Sequence, residues 1–169
     1  MFIIFGLGNP GKKYKKSRHN IGSGVIEELD SLDKEGIILQ KPVTFMNLSG
    51  RAAKRILKNR KLKIQNLIVV HDDIDLPLGQ LRIIKNRGSA GHKGVESIIN
   101  ELGTKNFIRF RIGIKPESGK PKNPEKFVLQ NFNKKEEETA KEVIKKTAEA
   151  IKLFSKKGLR ETMNEYNGR

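Results

Sequence analysis

The run Phe2-Ile3-Ile4-Phe5-Gly6-Leu7 constrains this chain more than any other stretch. It is apolar without alternation and rich in β-branched and aromatic side chains, and the turn residues Gly8-Asn9-Pro10-Gly11 end it. A strand apolar on both faces must be covered on both faces, which is the situation of a central strand in a parallel sheet. Leu67-Ile68-Val69-Val70 repeats the pattern. Other apolar residues recur at helical spacing. Val25, Ile26 and Leu29 mark a helix from Ile21 to Leu32, and Ala52, Ala53, Ile56 and Leu57 mark one from about Ser49 to Asn59, with Asn47 or Ser49 as its cap. Val95, Ile98, Ile99 and Leu102 follow Gly94 in the same way. From Asn133 to Lys157 a long amphipathic helix carries Ala140, Val143, Ile144, Thr147, Ile151 and Phe154 on one stripe. Asn133 is placed to cap it, Gly158 to end it, and a short terminal helix to follow. Ile37 to Phe45 and Leu81 to Ile84 read as further strands. Residues 107–114 alternate, with Ile108, Phe110, Ile112 and Ile114 on one side and Arg109 and Arg111 on the other. The expected architecture is therefore α/β: a single domain over 1–169, with a central, mixed, mostly parallel twisted sheet and helices on both faces. Ligands on such sheets bind beyond the carboxyl ends of the strands, which directs attention to Gly8-Asn9 and His71-Asp72.

Charge narrows the class of partner. Lys and Arg number 35 against 19 acids, a formal net charge of +16. A field of that sign attracts polyanions, nucleic acid first and an anionic membrane surface second; the competing explanation is a solvated basic surface kept for solubility. Five cations surround Tyr14 in residues 12–18, and seven lie between Arg51 and Lys63. With no cysteine, neither a disulfide framework nor a thiolate metal site is available, which suits a reducing cytoplasm. The N-terminal apolar run is too short for a signal peptide, and no later run approaches a membrane span. The expectation is a soluble cytoplasmic protein, and a monomer, since no exposed apolar stripe is evident.

Gly6-Leu7-Gly8-Asn9-Pro10-Gly11 matches the glycine pattern of dinucleotide-binding turns, with Asp30 at a suitable distance. The pattern fails in context. Its third glycine should open an amphipathic helix, but here it opens Lys12-Lys13-Tyr14-Lys15-Lys16-Ser17-Arg18, which has no apolar stripe.

The chemistry-bearing residues gather at the predicted strand ends. His19, one of three histidines, sits in the polar loop Ser17-Arg18-His19-Asn20-Ile21-Gly22 and can accept a proton near neutral pH; an exposed histidine with no role is the competing explanation. Asp72, Asp73 and Asp75 follow a buried strand. One of them can orient His19, or the three can form a solvated turn with Asp75 capping before Leu76-Pro77. A metal cluster there lacks a regular ligand pattern. Asn9 and Asn47 offer both a donor and an acceptor to a peptide, or simply make a turn and cap a helix. His92 and Lys93 lie in the glycine-rich loop Gly88–Gly94, whose backbone N–H groups can face an anion. Arg82, Lys85, Arg87, Arg109 and Arg111 are candidate phosphate contacts.

Taken together, seven stretches resemble, in this order, the bacterial peptidyl-tRNA hydrolase family. They are Phe5–Gly11, Tyr14 with Arg18–Gly22, Lys41–Gly50, His71–Gly79, Gly88–His92, Arg109–Ile114 and Phe127–Leu129. The resemblance implies water-mediated cleavage of the ester between a peptide and the 3′ end of its tRNA, which recycles tRNA during translation. It implies His19 as general base, Asp72 as its holder, and Asn9 and Asn47 at the peptide beside the ester. Tyr14 and Met46 line the cleft, with His92 and Lys93 on the substrate side. Arg82, Arg111 and Lys85 become candidates for the acceptor-stem phosphates. Neither metal nor organic cofactor is implied. Two departures stand out: Lys93 replaces the Asn usual after the histidine, and the segment between His19 and Lys41 is short. Lysine donates but cannot accept, so it cannot receive a peptide N–H as Asn would. A non-catalytic RNA-binding protein on the same scaffold is the competing class; retention of His19, Asp72, Asn9 and Asn47 together favours the hydrolase.

Overall fold

The computed structural model describes residues 1–30 and 36–168. In chain order its elements are β1 (Phe2–Gly6), α1 (Ile21–Asp30), β2 (Ile37–Gln40), α2 (Ser49–Asn59), β3 (Leu67–Pro77), β4 (Leu81–Lys85), α3 (Lys93–Leu102), β5 (Ile108–Lys115), α4 (Pro124–Val128) and α5 (Lys134–Asn167). The strands form one sheet in the order β2-β1-β3-β5-β4. All pairings are parallel except β4 with β5, so the sheet is mixed and mostly parallel, as the apolar runs require.

Both faces are covered. Ile4, Ile68, Val70, Phe110 and Ile112 pack against Val25, Ile26 and Leu29 of α1 and Val143, Ile151 and Phe154 of α5. Ile3, Phe5, Leu67 and Val69 pack against Ala52, Ala53 and Leu57 of α2 and Val95 and Ile98 of α3. Each large side chain buried this way contributes on the order of 1.5–3 kcal/mol before chain entropy is counted. Two glycines seat α1 on the sheet. A Cβ on Gly6 would collide with the Gly22 carbonyl oxygen, and one on Gly22 with that of Val70. The start of α1 therefore lies hard against the carboxyl end of β1 and the middle of β3, which carries the preceding turn, Arg18–Asn20, to the same place.

The expected cap and break of α5 are both present. Asn133 accepts from the N–H groups of Lys135 and Glu136. Gly158 leaves helical geometry at φ 79° and ψ −179°, and helix resumes to Asn167. There the Asn167 side chain bonds both the N–H and the C=O of Ile83 on edge strand β4.

Several boundaries differ from the sequence expectation. β2 ends at Gln40 rather than Phe45, because Pro42 has no N–H to give a ladder. β3 continues past Val70 to Pro77, pairing with β5 through Asp73 before the register shifts. His71, Asp72 and Asp73 are thus buried strand residues and not a solvated turn. The Asx turn that does form uses Asp73, whose carboxylate accepts from the Asp75 N–H. Neither Asn47 nor Ser49 caps α2: its N-cap is Leu48 without a side-chain bond, and the Ser49 hydroxyl donates to the Met46 carbonyl instead. Residues 31 and 32, the predicted end of α1, lie outside the described residues.

Candidate active site

A cleft of about 760 Å³ opens at the carboxyl ends of β1 and β3. Asn9, His19, Met46, Asn47, Asp72, His92 and Lys93 all line it. These residues are far apart along the chain, and the ends of separate elements bring them together.

Asp72 is the centre. It is 2% exposed, and an anion so placed must be met by donors. His19 Nδ1 lies 2.9 Å from both carboxylate oxygens, and His92 Nε2 lies 2.8 Å from Oδ1. Burial alone would raise the Asp72 pKa; the His19 and His92 imidazoles outweigh it and hold the carboxyl far below the usual carboxylate range. Asp72 is therefore an acceptor only, and the proton of His19 must sit on Nδ1. His19 Nε2 is left with its lone pair. Burial disfavours the charged His19 ring, but the Asp72 carboxylate, by charge and hydrogen bond, outweighs that and sets its pKa above the ordinary value. Lys93 pulls the other way.

The other two histidines have different duties. His92 is the N-cap of α3, and its Nδ1 accepts from the N–H groups of Gly94 and Val95. Its proton is then on Nε2, directed at Asp72. The glycine-loop amides expected to face an anion are to that extent already occupied. His71 is buried, with Nδ1 2.6 Å from the Asp72 carbonyl and Nε2 3.4 Å from Arg109 Nη1. Burial, then the nearby His92 and Arg109, push its pKa well down, so it stays neutral. The facing atoms of His19, Asp72 and His92 lie within 4.8 Å of one another, close enough for a metal. The hydrogen bonds give a different account: both imidazoles present N–H groups to the carboxylate, and freeing a His92 Nε2 lone pair would cost the cap of α3.

Asn9 faces the cleft with its orientation fixed. Its Oδ1 accepts from the Met46 N–H at 2.8 Å, so its NH₂ is the group left for a ligand. The Asn20 amide clamps the Asn9 backbone on both sides, accepting from its N–H and donating to its C=O. Asn47 is exposed on the rim. Tyr14 stands outside the cleft lining, edge-on to Phe45 at 6.5 Å between ring centroids.

The three candidate phosphate contacts do not form one group. Arg82 and Arg111 are directly opposed on β4 and β5, so their side chains share a sheet face. Arg111 is tied to Asp73 at 2.6 Å, and Arg82 donates to the Asn167 carbonyl. Lys85 is exposed, opposite Ile108 at the far end of the strands.

Sequence reasoning missed the duties of four residues here. Arg109 is buried, donates to the Arg87 and Gly88 carbonyls beneath the glycine loop, and has its pKa pushed down to about 10, mainly by burial and then by Arg111. The alternation of 107–114 signals its direction but not its burial. His71 is visible beside Asp72, yet nothing local marks it as a strand residue. Glu125, which pairs with Lys93 at 2.9 Å, and Lys120, which pairs with Asp75 at 2.7 Å, lie in a stretch with no signal at all.

Comparison with known proteins gives a consistent result. The family model described as peptidyl-tRNA hydrolase matches residues 3–34 and 29–169. A peptidyl-tRNA hydrolase of Thermodesulfovibrio yellowstonii is 41% identical over 99% of this chain and 99% of its own length. One of Aquifex aeolicus is 44% identical over 88% and 87%. The crystal structure of peptidyl-tRNA hydrolase from Acinetobacter baumannii superposes with a TM-score of 0.89 at 28% identity, covering 99% of this chain and 94% of that one.

Proposed function

The chain belongs to the peptidyl-tRNA hydrolase family and is a hydrolase of peptidyl-tRNA, and from that premise we propose that His19 is its general base, Asp72 the group that holds it, and Asn9 the donor to the ester carbonyl. The observation that carries this reading is the pair of 2.9 Å contacts between His19 Nδ1 and the Asp72 carboxylate, which leave the Nε2 lone pair as the basic atom at the cleft.

The steps follow from those positions. His19 Nε2 takes a proton from a water as the water oxygen attacks the ester carbonyl carbon. The negative charge passes to the carbonyl oxygen, where the Asn9 NH₂ meets it. The intermediate collapses with cleavage of the bond to the terminal ribose oxygen, and the imidazolium returns its proton to that oxygen. The peptide acid loses its remaining proton to solvent, and peptide carboxylate and tRNA leave. Asp72 stabilises the transient imidazolium without taking its proton. A positioned base contributes roughly 10²–10⁴ in rate, and a fixed donor to the developing oxyanion about 10²–10³ more.

Asn47 and Met46 form the peptide side of the cleft, and Lys93 stands where an amide is usual, donating to a peptide carbonyl. Tyr14 supports that wall through Phe45. Arg82 and Arg111, on a shared face, are the better placed of the three cations for the acceptor stem. No helix among the described residues is long and apolar enough to cross a membrane, and the +16 charge supplies the attraction for tRNA.

The test is cleavage of an N-blocked aminoacyl-tRNA followed across pH. Activity rises with pH as His19 loses its proton, and the midpoint lies above the ordinary histidine value of about 6.5. Tight tRNA binding with no cleavage at any pH would overturn the assignment.

A further inference from the structure

Resting on the reading of His19 as base, we propose that Arg18 is a positioning residue for the reaction, locking the turn that carries His19 to the opposite wall of the cleft. That wall is α4 and the residue after it: Pro124, Glu125, Val128 and Leu129 all line the cleft. Arg18 itself is not among the lining residues. Its guanidinium, 6% exposed in its side chain, lies 4.2 Å from the ring centroid of Phe127 and 5.3 Å from that of Phe132. Nη1 donates to the Asn131 carbonyl, and Nη2 pairs with Glu136 at 2.6 Å. The Arg18 N–H donates to the Gln130 carbonyl at 3.0 Å, and Ser17 forms a β-bridge with Asn131.

A buried cation is costly, and this one is not fully satisfied, since its Nε has no partner. An apolar side chain would fill the gap between two phenylalanines with less penalty. What the guanidinium adds is a plane that stacks and a fork that fixes direction. His19 thus sits in a three-residue turn with both neighbours committed. Asn20 holds the Asn9 backbone, and Arg18 holds the start of α5 and the ring of α4. Through Arg18 the separation between the base and the α4 wall becomes a fixed quantity. Reacting groups displaced by about 1 Å lose on the order of 10² in rate, so this link acts on the chemical step more than on binding.

Glu136→Gln and Arg18→Lys test the link in the full chain. Gln serves at N3 of a capping box as Glu does, so Glu136→Gln removes the anion and leaves the start of α5 intact. Two readouts are taken: kcat and KM on N-blocked aminoacyl-tRNA, and the titration of the His19 ring by NMR without substrate. Glu136→Gln is expected to lower kcat about tenfold and Arg18→Lys about a hundredfold, with KM held within about twofold. The His19 titration moves to lower pH in both, because the contact with Asp72 that raises it loosens. Unchanged kcat and unchanged titration in variants that melt like the wild type would overturn the proposal, as would a loss confined to KM. If Arg18→Lys does not fold, Glu136→Gln decides. If the wild type itself cleaves nothing, the hydrolase reading fails, while the substrate-free titration still decides the role of Arg18.

Discussion

The two walls of the cleft hold opposite charges in opposite ways. On the inner wall Asp72, buried on β3, is matched by N–H donors from His19 and His92. On the outer wall Lys93 pairs with Glu125, and Lys120 with Asp75. The side-chain exposures of these two pairs are 56% and 76%, and 53% and 43%. The distances are nearly the same on both walls. The consequences differ because water competes at the rim and is excluded inside. Inside, a carboxylate dictates which ring nitrogen carries a proton. Outside, the same chemistry shapes the field that His19 feels but fixes no tautomer.

That contrast can be broken from the inside outwards. His19→Ala removes the base and is expected to lower single-turnover cleavage by on the order of 10⁴. Residual activity near wild type would mean another group takes the proton. Asp72→Asn keeps the shape but offers an NH₂ to His19 Nδ1, which favours the wrong tautomer. Cleavage should fall by about 10³, and an NMR assignment of the His19 tautomer shows whether the flip is the cause. His92→Ala leaves His19 paired but strips α3 of its cap and Asp72 of one donor. A loss of about 1–2 kcal/mol in urea unfolding is expected, with a smaller change in rate than Asp72→Asn gives. Lys93→Asn, at the rim, should change kcat/KM less than about threefold, within the range of exposed charges. Since Lys93 holds His19 down, its loss raises the His19 pKa and moves the rising limb of the pH profile upward. A limb that stays in place would show that Lys93 does not set that field, and a large loss of activity that it does more.

Legibility in the sequence follows the same division. The strands buried on both faces, the stripes of α2 and α5, and the Asn133 cap and Gly158 break were readable, because each depends on local pattern. So was the convergence of Asn9, His19 and Asp72, once strand ends were treated as the binding edge and the ordered motifs were weighed together. The extension of β3 from His71 to Pro77 was not readable. Polar residues in a strand are stabilised by partners far along the chain, here His19, His92 and Arg111. The duties of Arg18, Arg109 and Glu125 were hidden for the same reason. Each acts across more than twenty positions of sequence, and no periodicity records a contact of that range.

The Asn167 amide carries both a donor and an acceptor, like a peptide group, and it commits both to Ile83 of the outermost strand. An open strand margin invites another chain to add itself there. The last turn of α5 therefore works as a bolt on that margin. A shortened form lacking it would leave the Ile83 N–H and C=O free to recruit a neighbour, and self-association would follow from the loss of a single side chain far from the cleft.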